Sequence, residues 1–190
     1  SEYVLLLNND MTVISEDWIE SLLDCGIKEG VGAVGAKLLY EDDTVQHAGI
    51  VMQLGGIAGH AFKHSDARSP GYFGYATVVR NCSAVTGACM LIRRSVALEI
   101  GGFNEELSVA YNDVDFCLRL REANYKVLCT PFAKLYHLES KTRPKYLDDM
   151  SPKQRSEFET ESAYIRKRHA IYFKEGDPYY NKALTLRIED

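Results

Sequence analysis

Apolar and polar positions switch between a strand period and a helix period along this chain. Residues 3–7 (YVLLL) form an unbroken apolar run that stops at Asn8-Asn9-Asp10. Such a run predicts a strand buried on both faces, as in a parallel sheet. Ser15 predicts a helix N-cap. Glu16 and Asp17 suit the first turn, Trp18, Ile19, Leu22 and Leu23 form the apolar stripe, and Gly26 ends it. Residues 31–40 (VGAVGAKLLY) predict a second strand whose small residues allow close packing. Strand, helix and strand at this spacing argue for an α/β sheet. Residues 45–54 read as another strand. Residues 55–75, rich in Gly, His, Ser and aromatics and without a period, predict a long ordered loop of the kind that carries function. A further strand is expected over 84–92, with Gly87 marking a close backbone approach.

A short helix is expected over 95–100, closed by Gly101-Gly102. The most regular segment is 113–123, where Val114, Cys117, Leu118 and Leu120 share one side and Arg119, Arg121 and Glu122 point outward. A strand follows over 125–129, broken by Pro131, and 133–136 is apolar up to His137. Residues 151–173 predict one charged amphipathic helix, with Phe158, Ile165 and Tyr172 seven apart on its buried stripe, joined by Ser162 and His169. The tail 177–181 (DPYYN) is irregular. No repeat or linker divides the chain, so one domain is expected over 1–190, with 1–150 as its core and 151–190 as a carboxyl-terminal helix and tail.

Composition narrows the class. A chain of 190 residues that is 46% hydrophobic and 26% charged is globular, not disordered or low-complexity. It is long enough to hide about 70% of its unfolded surface without a disulfide or metal. Lys+Arg of 22 against Asp+Glu of 27 gives a net charge of −5, the wrong sign for broad binding to a phosphate backbone, so no nucleic-acid partner is expected. The apolar runs fall far short of the roughly 20 residues that a bilayer span needs. Cysteines stand at 25, 82, 89, 117 and 129, an odd count without C-x-x-C spacing and in apolar surroundings. They read as small buried hydrophobes in a reducing compartment.

Three places can carry chemistry. Asn8-Asn9-Asp10 directly follows a buried strand, where open α/β sheets bind ligands. A carboxylate there with short amides can hold a hard divalent cation, or the three residues can simply form a turn. Asn112-Asp113-Val114-Asp115 opens the regular helix. Asp115 pairs with Arg119 at i, i+4 as surface helices do, whereas Asp113 either caps the helix or faces a pocket and takes a proton from an attacking hydroxyl. His137 ends an apolar strand, as a cation or phosphate ligand or as a half-buried histidine with a satisfied hydrogen bond. His47, His60, His64 and His169 form no H-x-x-x-H pair, which argues against zinc. Tyr72, Phe73 and Tyr75 can stack on a sugar ring or anchor their loop.

The order of these segments is more specific than any one of them. The Asp-bearing triplet 8–10 is followed by VGAVGAKLLY at 31–40, QHAG at 46–49, TGA at 86–88 and GGFNEE at 101–106. NDVDFCLRLR at 112–121, LYHLES at 135–140 and the closing DPYYN come next. The run resembles the second half of a family 2 glycosyltransferase, an inverting nucleotide-sugar enzyme of GT-A fold, and is most similar to the bacterial rhamnosyltransferase-like members that build surface polysaccharides of the cell envelope. The resemblance covers nearly all of residues 3–181 and implies a partial GT-A fold, a mixed α/β sheet flanked by helices without the amino-terminal nucleotide-binding units. Asn8-Asn9-Asp10 falls on the family's D-x-D motif. Asp10 then matches the acid that holds Mn2+ or Mg2+ on the donor diphosphate, with Asn8 a neutral ligand in place of the first acid and Asn9 on the donor side. Asn112-Asp113 matches the family's E-D pair, so Asp113 is the expected catalytic base. His137 matches a histidine that completes the metal or phosphate site. Thr86, Gly87, Ala88 and Asn112 lie on the acceptor side.

The resemblance implies a single displacement. Asp113 removes the proton of an acceptor hydroxyl as it attacks the anomeric carbon, and the metal at Asp10 stabilises the leaving nucleoside diphosphate. The implied partners are a nucleotide-sugar donor and a saccharide or lipid-linked saccharide acceptor, in the cytoplasm or at the inner face of its membrane. The family's amino-terminal β-α units, roughly 60–100 residues, have no counterpart here. The isolated chain is therefore expected to transfer little sugar and to self-associate through the open sheet edge. Asn8 and Asn112, where the family has acids, also suit a degenerate, non-catalytic domain that binds a saccharide or a partner protein. A metal-dependent nucleotidyltransferase shares a related layout but does not account for 112–121.

Overall fold

The computed structural model describes residues 1–108, 110–138 and 150–187. Its centre is a sheet in the order β1 (Tyr3–Leu7), β8 (Cys89–Arg93), β3 (Val31–Leu39), β9 (Lys126–His137) and β2 (Met11–Val13). β4 (Val45–His47) also pairs with β3, and β7 (Arg80–Asn81) with β9. Only the β3–β9 pair is parallel; the others run antiparallel. With helices on both faces this is the mixed α/β sheet of a partial GT-A fold.

β3 is buried at every position, which its Val, Ala, Gly and Leu content permits. One face carries Val34, Ala36 and Leu38 against Leu22 and Cys25 of α1 (Trp18–Gly26). The other packs Ala33 with Met90, Ile92 and Val96 of α2 (Arg94–Glu99), and with Val114, Phe116 and Leu120 of α3 (Asn112–Glu122). Gly35 shows why small residues are needed. A Cβ added there would lie 2.6 Å from Val85 Cβ. Gly35→Ala is expected to destabilise the chain by about 1–3 kcal/mol through overpacking, read from the urea midpoint at unchanged slope.

Several sequence expectations shift. β1 is not in a parallel array: it pairs antiparallel with β8 alone among the described residues, leaving Val4 and Leu7 exposed at the sheet edge. A short apolar run does not distinguish these two settings. Ser15 is not the N-cap of α1. The helix starts at Trp18 after Asp17, and no side chain caps it. The strand expected over 45–54 is two, β4 and β5 (Ile50–Met52), because Gly49 turns the chain at φ 98°. The expected loop 55–75 contains β6 (Ala58–His60), which forms a hairpin with β5. The strand expected over 84–92 starts at Cys89, and 84–88 is a connecting turn. Pro131 does not end its strand. β9 runs through it as a bulge, its pairing jumping from Ala36↔Thr130 to Lys37↔Lys134. The proline sits between the stretches paired to β7 and to β2, where no ladder donor is required.

The expected helix over 151–173 is α4 (Pro152–Arg168) and α5 (Ala170–Glu175), separated at His169. Ser151 and Gln154 form a reciprocal capping box with Pro152 at the first helical position. The long loop is clamped from below by Lys37. Its Nζ, buried within the sheet, donates to the carbonyls of Ala67 at 3.0 Å and Ala76 at 3.2 Å. Burial pushes this amine below its ordinary pKa. All five cysteines are free and buried, as expected. Among the described residues, no helix is long and apolar enough to cross a membrane.

Candidate active site

The sheet brings the three candidate segments to one end. Asn8, leaving β1, donates its backbone N–H to the Ala88 carbonyl at 2.9 Å. Two residues earlier in the connecting turn, Thr86 Oγ1 accepts from Ala88 N–H at 3.3 Å. Between them, Gly87 N–H donates to Asp113 Oδ2 at 2.8 Å. Thus the turn 86–88 joins the triplet at the end of β1 to the carboxylate at the start of α3. A Cβ at position 87 would meet Asp113 Cβ at 3.6 Å and Leu6 Cδ1 at 4.0 Å, ordinary van der Waals contact, so it is the backbone N–H of Gly87 and not its missing side chain that the arrangement uses.

Asp113 is half-buried in the first turn of α3. Its Oδ1 accepts from Val114 N–H at 2.8 Å, and Asn112 Oδ1 accepts from Asp113 N–H at 2.7 Å. Both carboxylate oxygens are therefore oriented by backbone donors. The loop before α3 is set by Glu161 of α4, which is buried and accepts from Ser108 N–H at 2.9 Å and Ala110 N–H at 2.6 Å. Tyr111, at φ 60°, makes the final turn into the helix.

On the other side His137 closes β9. Its backbone neighbourhood is tied to the triplet by Leu138 N–H donating to the Asp10 carbonyl at 3.0 Å. His137 Nδ1 lies 2.6 Å from Gln46 Oε1, and Gln46 Nε2 donates to the His137 carbonyl at 3.2 Å. With Nδ1 donating to Gln46, Nε2 is the ring nitrogen that faces the Asn8 amide at 3.2 Å and Asp10 Oδ1 at 3.3 Å. The glutamine thus fixes which ring nitrogen faces the site.

This donor set suits a hard divalent ion shared with a substrate. Adjacent ligands of an octahedral shell about 2.1 Å in radius lie ~3 Å apart, close to the separation of Asp10 Oδ1 and His137 Nε2. No group of three His, Cys, Asp or Glu side chains that could hold a metal is found among the described residues. Asp10, His137 and the Asn8 amide would supply part of a shell, the remainder coming from phosphate oxygens and water. Asn9 is exposed beside them, and Asn112 is exposed at the helix start. All nine site residues expected from sequence lie in this one region. Glu139 and Ser140 of the segment after His137 fall outside the described residues.

A supporting residue passed over in sequence is His47, which is fully buried. Its Nε2 accepts from Gly49 N–H at 3.2 Å and Thr86 N–H at 3.4 Å, so its own proton lies on Nδ1 and faces His60 Nδ1 at 2.8 Å. Burial, with His60 beside it, holds its pKa well below the usual imidazole range and keeps the ring a neutral acceptor. The motif QHAG therefore contributes two props: Gln46 under His137 and His47 under the turn 86–88.

Asp115 corrects a sequence expectation. Its Oδ2 does pair with Arg119 Nε at 2.7 Å, but the carboxylate is fully buried and its Oδ1 meets His169 Nε2 at 2.8 Å. Arg119 and Arg121 do not point to solvent as expected, because the segment after α2 meets the first and α5 with the tail meets the second. Arg119 donates to the carbonyls of Ile100 at 2.8 Å and Gly102 at 2.7 Å. Arg121 donates to Ser83 Oγ at 3.1 Å and Tyr172 Oη at 2.6 Å.

With this geometry in hand, comparison with known proteins is informative. Residues 4–168 match the family described as glycosyl transferase family group 2. The chain is 42% identical over 190 residues to the uncharacterized protein y4gI of Sinorhizobium fredii. It is 40% identical over 192 residues to the O-antigen biosynthesis protein RfbC of Myxococcus xanthus. Both alignments span the whole chain but only 20% and 14% of those proteins, so the chain covers a fifth or less of these curated relatives. Among solved structures, the crystal structure of GalNAc-T7 with UDP, GalNAc and Mn2+ matches with a TM-score of 0.54 at 11% identity, over 93% of this chain and 42% of that one. That likeness concerns the fold.

Proposed function

The chain belongs to glycosyl transferase family group 2, and from that premise we propose that it carries the acceptor and diphosphate side of an inverting, metal-assisted sugar transferase. The observation that supports this best is the turn 86–88. It bonds the Asn8 backbone on one side and the Asp113 carboxylate on the other, which ties the proposed diphosphate side to the proposed base. In this reading residues 1–190 act as one catalytic unit, with 1–150 as its core.

The acceptor hydroxyl approaches over Thr86, Gly87, Ala88 and Asn112, and Asp113 takes its proton as the oxygen attacks the anomeric carbon from the face opposite the diphosphate. Asp113 is the general base, and no second carboxylate is needed as a nucleophile, which gives inversion. Asp10, Asn8 and His137 would hold Mn2+ or Mg2+, with Asn9 beside the donor. When bound, the ion supplies charge neutralisation for the departing diphosphate. Gln46 keeps Nε2 of His137 turned toward Asp10, and the Gly87 N–H holds the Asp113 carboxylate in place.

The donor in this reading is a nucleotide diphosphate sugar carrying a hexosyl or rhamnosyl group. The acceptor is a saccharide or lipid-linked saccharide of a bacterial surface polysaccharide, as the O-antigen biosynthesis relative suggests. Work on such an acceptor would place the protein in the cytoplasm, at the inner face of its membrane. The exposed edge of β1 would take a strand of a second copy. A second reading, a non-catalytic saccharide-binding domain, draws on Asn8 and Asn112 at positions where the family has acids.

Calorimetric titration of UDP, GDP and dTDP, with and without Mn2+, tests the diphosphate side. At least one nucleotide is expected to bind more tightly with the metal, and Asp10→Ala is expected to remove about tenfold or more of that gain. Equal binding by the two proteins would place the diphosphate elsewhere.

A further inference from the structure

Between the loop 55–75 and the carboxyl-terminal tail lies a partly open cavity of about 270 Å3. Phe62, Tyr72, Tyr75 and Arg80 line it from the loop side, and Tyr179 and Asn181 from the carboxyl-terminal tail. The two walls are joined across 109 residues of sequence by Asn181 Nδ2 donating to Tyr72 Oη at 2.7 Å. Neither wall is loose. Asp177 accepts from Met52 N–H at 2.7 Å and Tyr179 N–H at 2.8 Å, and Gly55 N–H donates to the Leu186 carbonyl at 2.9 Å. The loop is held by Lys37, and Arg121 lies 4.7 Å from the centre of the Tyr179 ring.

We propose that this cavity is a saccharide subsite that takes one neutral pyranose ring of the acceptor, away from the reacting hydroxyl. The chemistry of the lining selects the class. Aromatic faces next to hydroxyl and amide groups match a ring with an apolar C–H face and a rim of hydroxyls. Val51, Leu54, Ala61 and Leu184 add apolar wall, and the Asn181 amide already meets Tyr72. Arg80 donates to the Ala48 carbonyl and lies over the rings of Phe62, at 5.7 Å, and Tyr75, at 6.0 Å. Its charge is not neutralised there, so binding of an anion is the competing outcome that geranyl phosphate reports. The size also fits: a cavity of about 150 Å3 holds one benzene ring, so this one holds a single substituted six-membered ring. Arg80 and Gly87 stand seven residues apart on one segment, at most ~25 Å along an extended chain. An oligosaccharide can therefore reach from the cavity to Asp113. The role as an acceptor subsite rests on the sugar-transfer reading above, whereas the binding of a pyranose does not.

The test is amide chemical-shift mapping of the chain during titration with the methyl α-pyranosides of glucose, galactose and rhamnose. Uridine and geranyl phosphate serve as comparators. At least one glycoside is expected to shift the amides of Tyr72, Tyr75 and Asn181 saturably. Tyr75→Ala is expected to weaken that binding about tenfold. Tyr75→Leu, which keeps apolar volume but removes the aromatic face, should weaken it too if Tyr75→Ala fails to fold. Absence of shifts with all three glycosides, or shifts with uridine or geranyl phosphate alone, overturns the proposal. Where transfer is measurable, Tyr75→Ala should raise the acceptor KM about tenfold at unchanged kcat. Transfer with an unchanged KM removes the subsite but leaves the transferase reading standing. Glycoside binding in a protein that Asp113→Asn does not impair would remove that reading and leave the subsite.

Discussion

Made in the full-length protein that carries this chain, Asp113→Asn is expected to lower kcat for sugar transfer by about 10²–10⁴-fold while leaving donor affinity close to wild type. The substitution is nearly isosteric, and asparagine keeps one carbonyl oxygen. That oxygen can accept from Gly87 N–H or from Val114 N–H but not from both, so the turn 86–88 and the start of α3 should hold their places at a cost of about 1 kcal/mol in stability. What disappears is a group able to take a proton. Because the half-buried carboxylate is oriented by two backbone donors, a water molecule admitted in its place would not be held in the same geometry. Initial rates of product formation, with calorimetric donor titration and a melting curve alongside, separate the effects. Loss of kcat with unchanged donor binding assigns the base. Transfer within about tenfold of wild type would move the base to another residue. A wild-type protein that binds saccharide but transfers none would favour the non-catalytic reading.

How much of this site the sequence reveals depends on the kind of interaction that builds it. Asp10, Asp113 and His137 were legible as candidates because each is a titratable side chain placed where a regular element begins or ends. Their props were less so. Gln46 and His47 lie on a three-residue strand next to a left-handed glycine, and their roles exist only because β4 is brought against β3 and the turn 86–88. Glu161 read as one charge among many on an amphipathic helix, yet its carboxylate caps two amides of the loop before α3. Non-local pairing explains the fold errors in the same way. Nothing in YVLLL distinguishes an antiparallel edge from a parallel interior, and Pro131 reads as a breaker until the gap between β7 and β2 beside β9 is known. Local signals that need no distant partner were read correctly, among them the start of the helix after residue 151 and the span of α3.

The largest effect on stability is expected at Asp115, where a helix-surface pattern in sequence proves to be a buried charge cluster. Asp115→Ala should cost about 3–5 kcal/mol, because it strands the Arg119 guanidinium and the buried His169 ring without their shared counterion. The loss should be visible as a lower urea midpoint, with Asp115→Asn intermediate because its carbonyl can still accept from one partner. Replacing Asp115, Arg119 and His169 together by apolar residues of similar volume should recover much of the stability, since the cost comes from breaking the cluster and not from lacking it. The pH dependence has a definite sign. Burial of Asp115 raises its pKa, but the hydrogen bonds from His169 and Arg119 more than offset this and hold it below the ordinary carboxylate value. A depressed folded-state pKa gives a contribution that is fully present above the unfolded value, near 4, and is lost as pH falls through the lower folded value. The cluster should therefore leave stability flat in this respect from neutrality to about pH 5 and weaken it only in stronger acid. Asp115 and Asp113 share the first turn of α3. A stability loss in Asp115→Ala should consequently be accompanied by a fall in kcat even where the protein remains folded, as the base loses the rigid helix start that aims it. An unchanged kcat in a folded but weakened variant would show that Gly87 alone holds Asp113 in place.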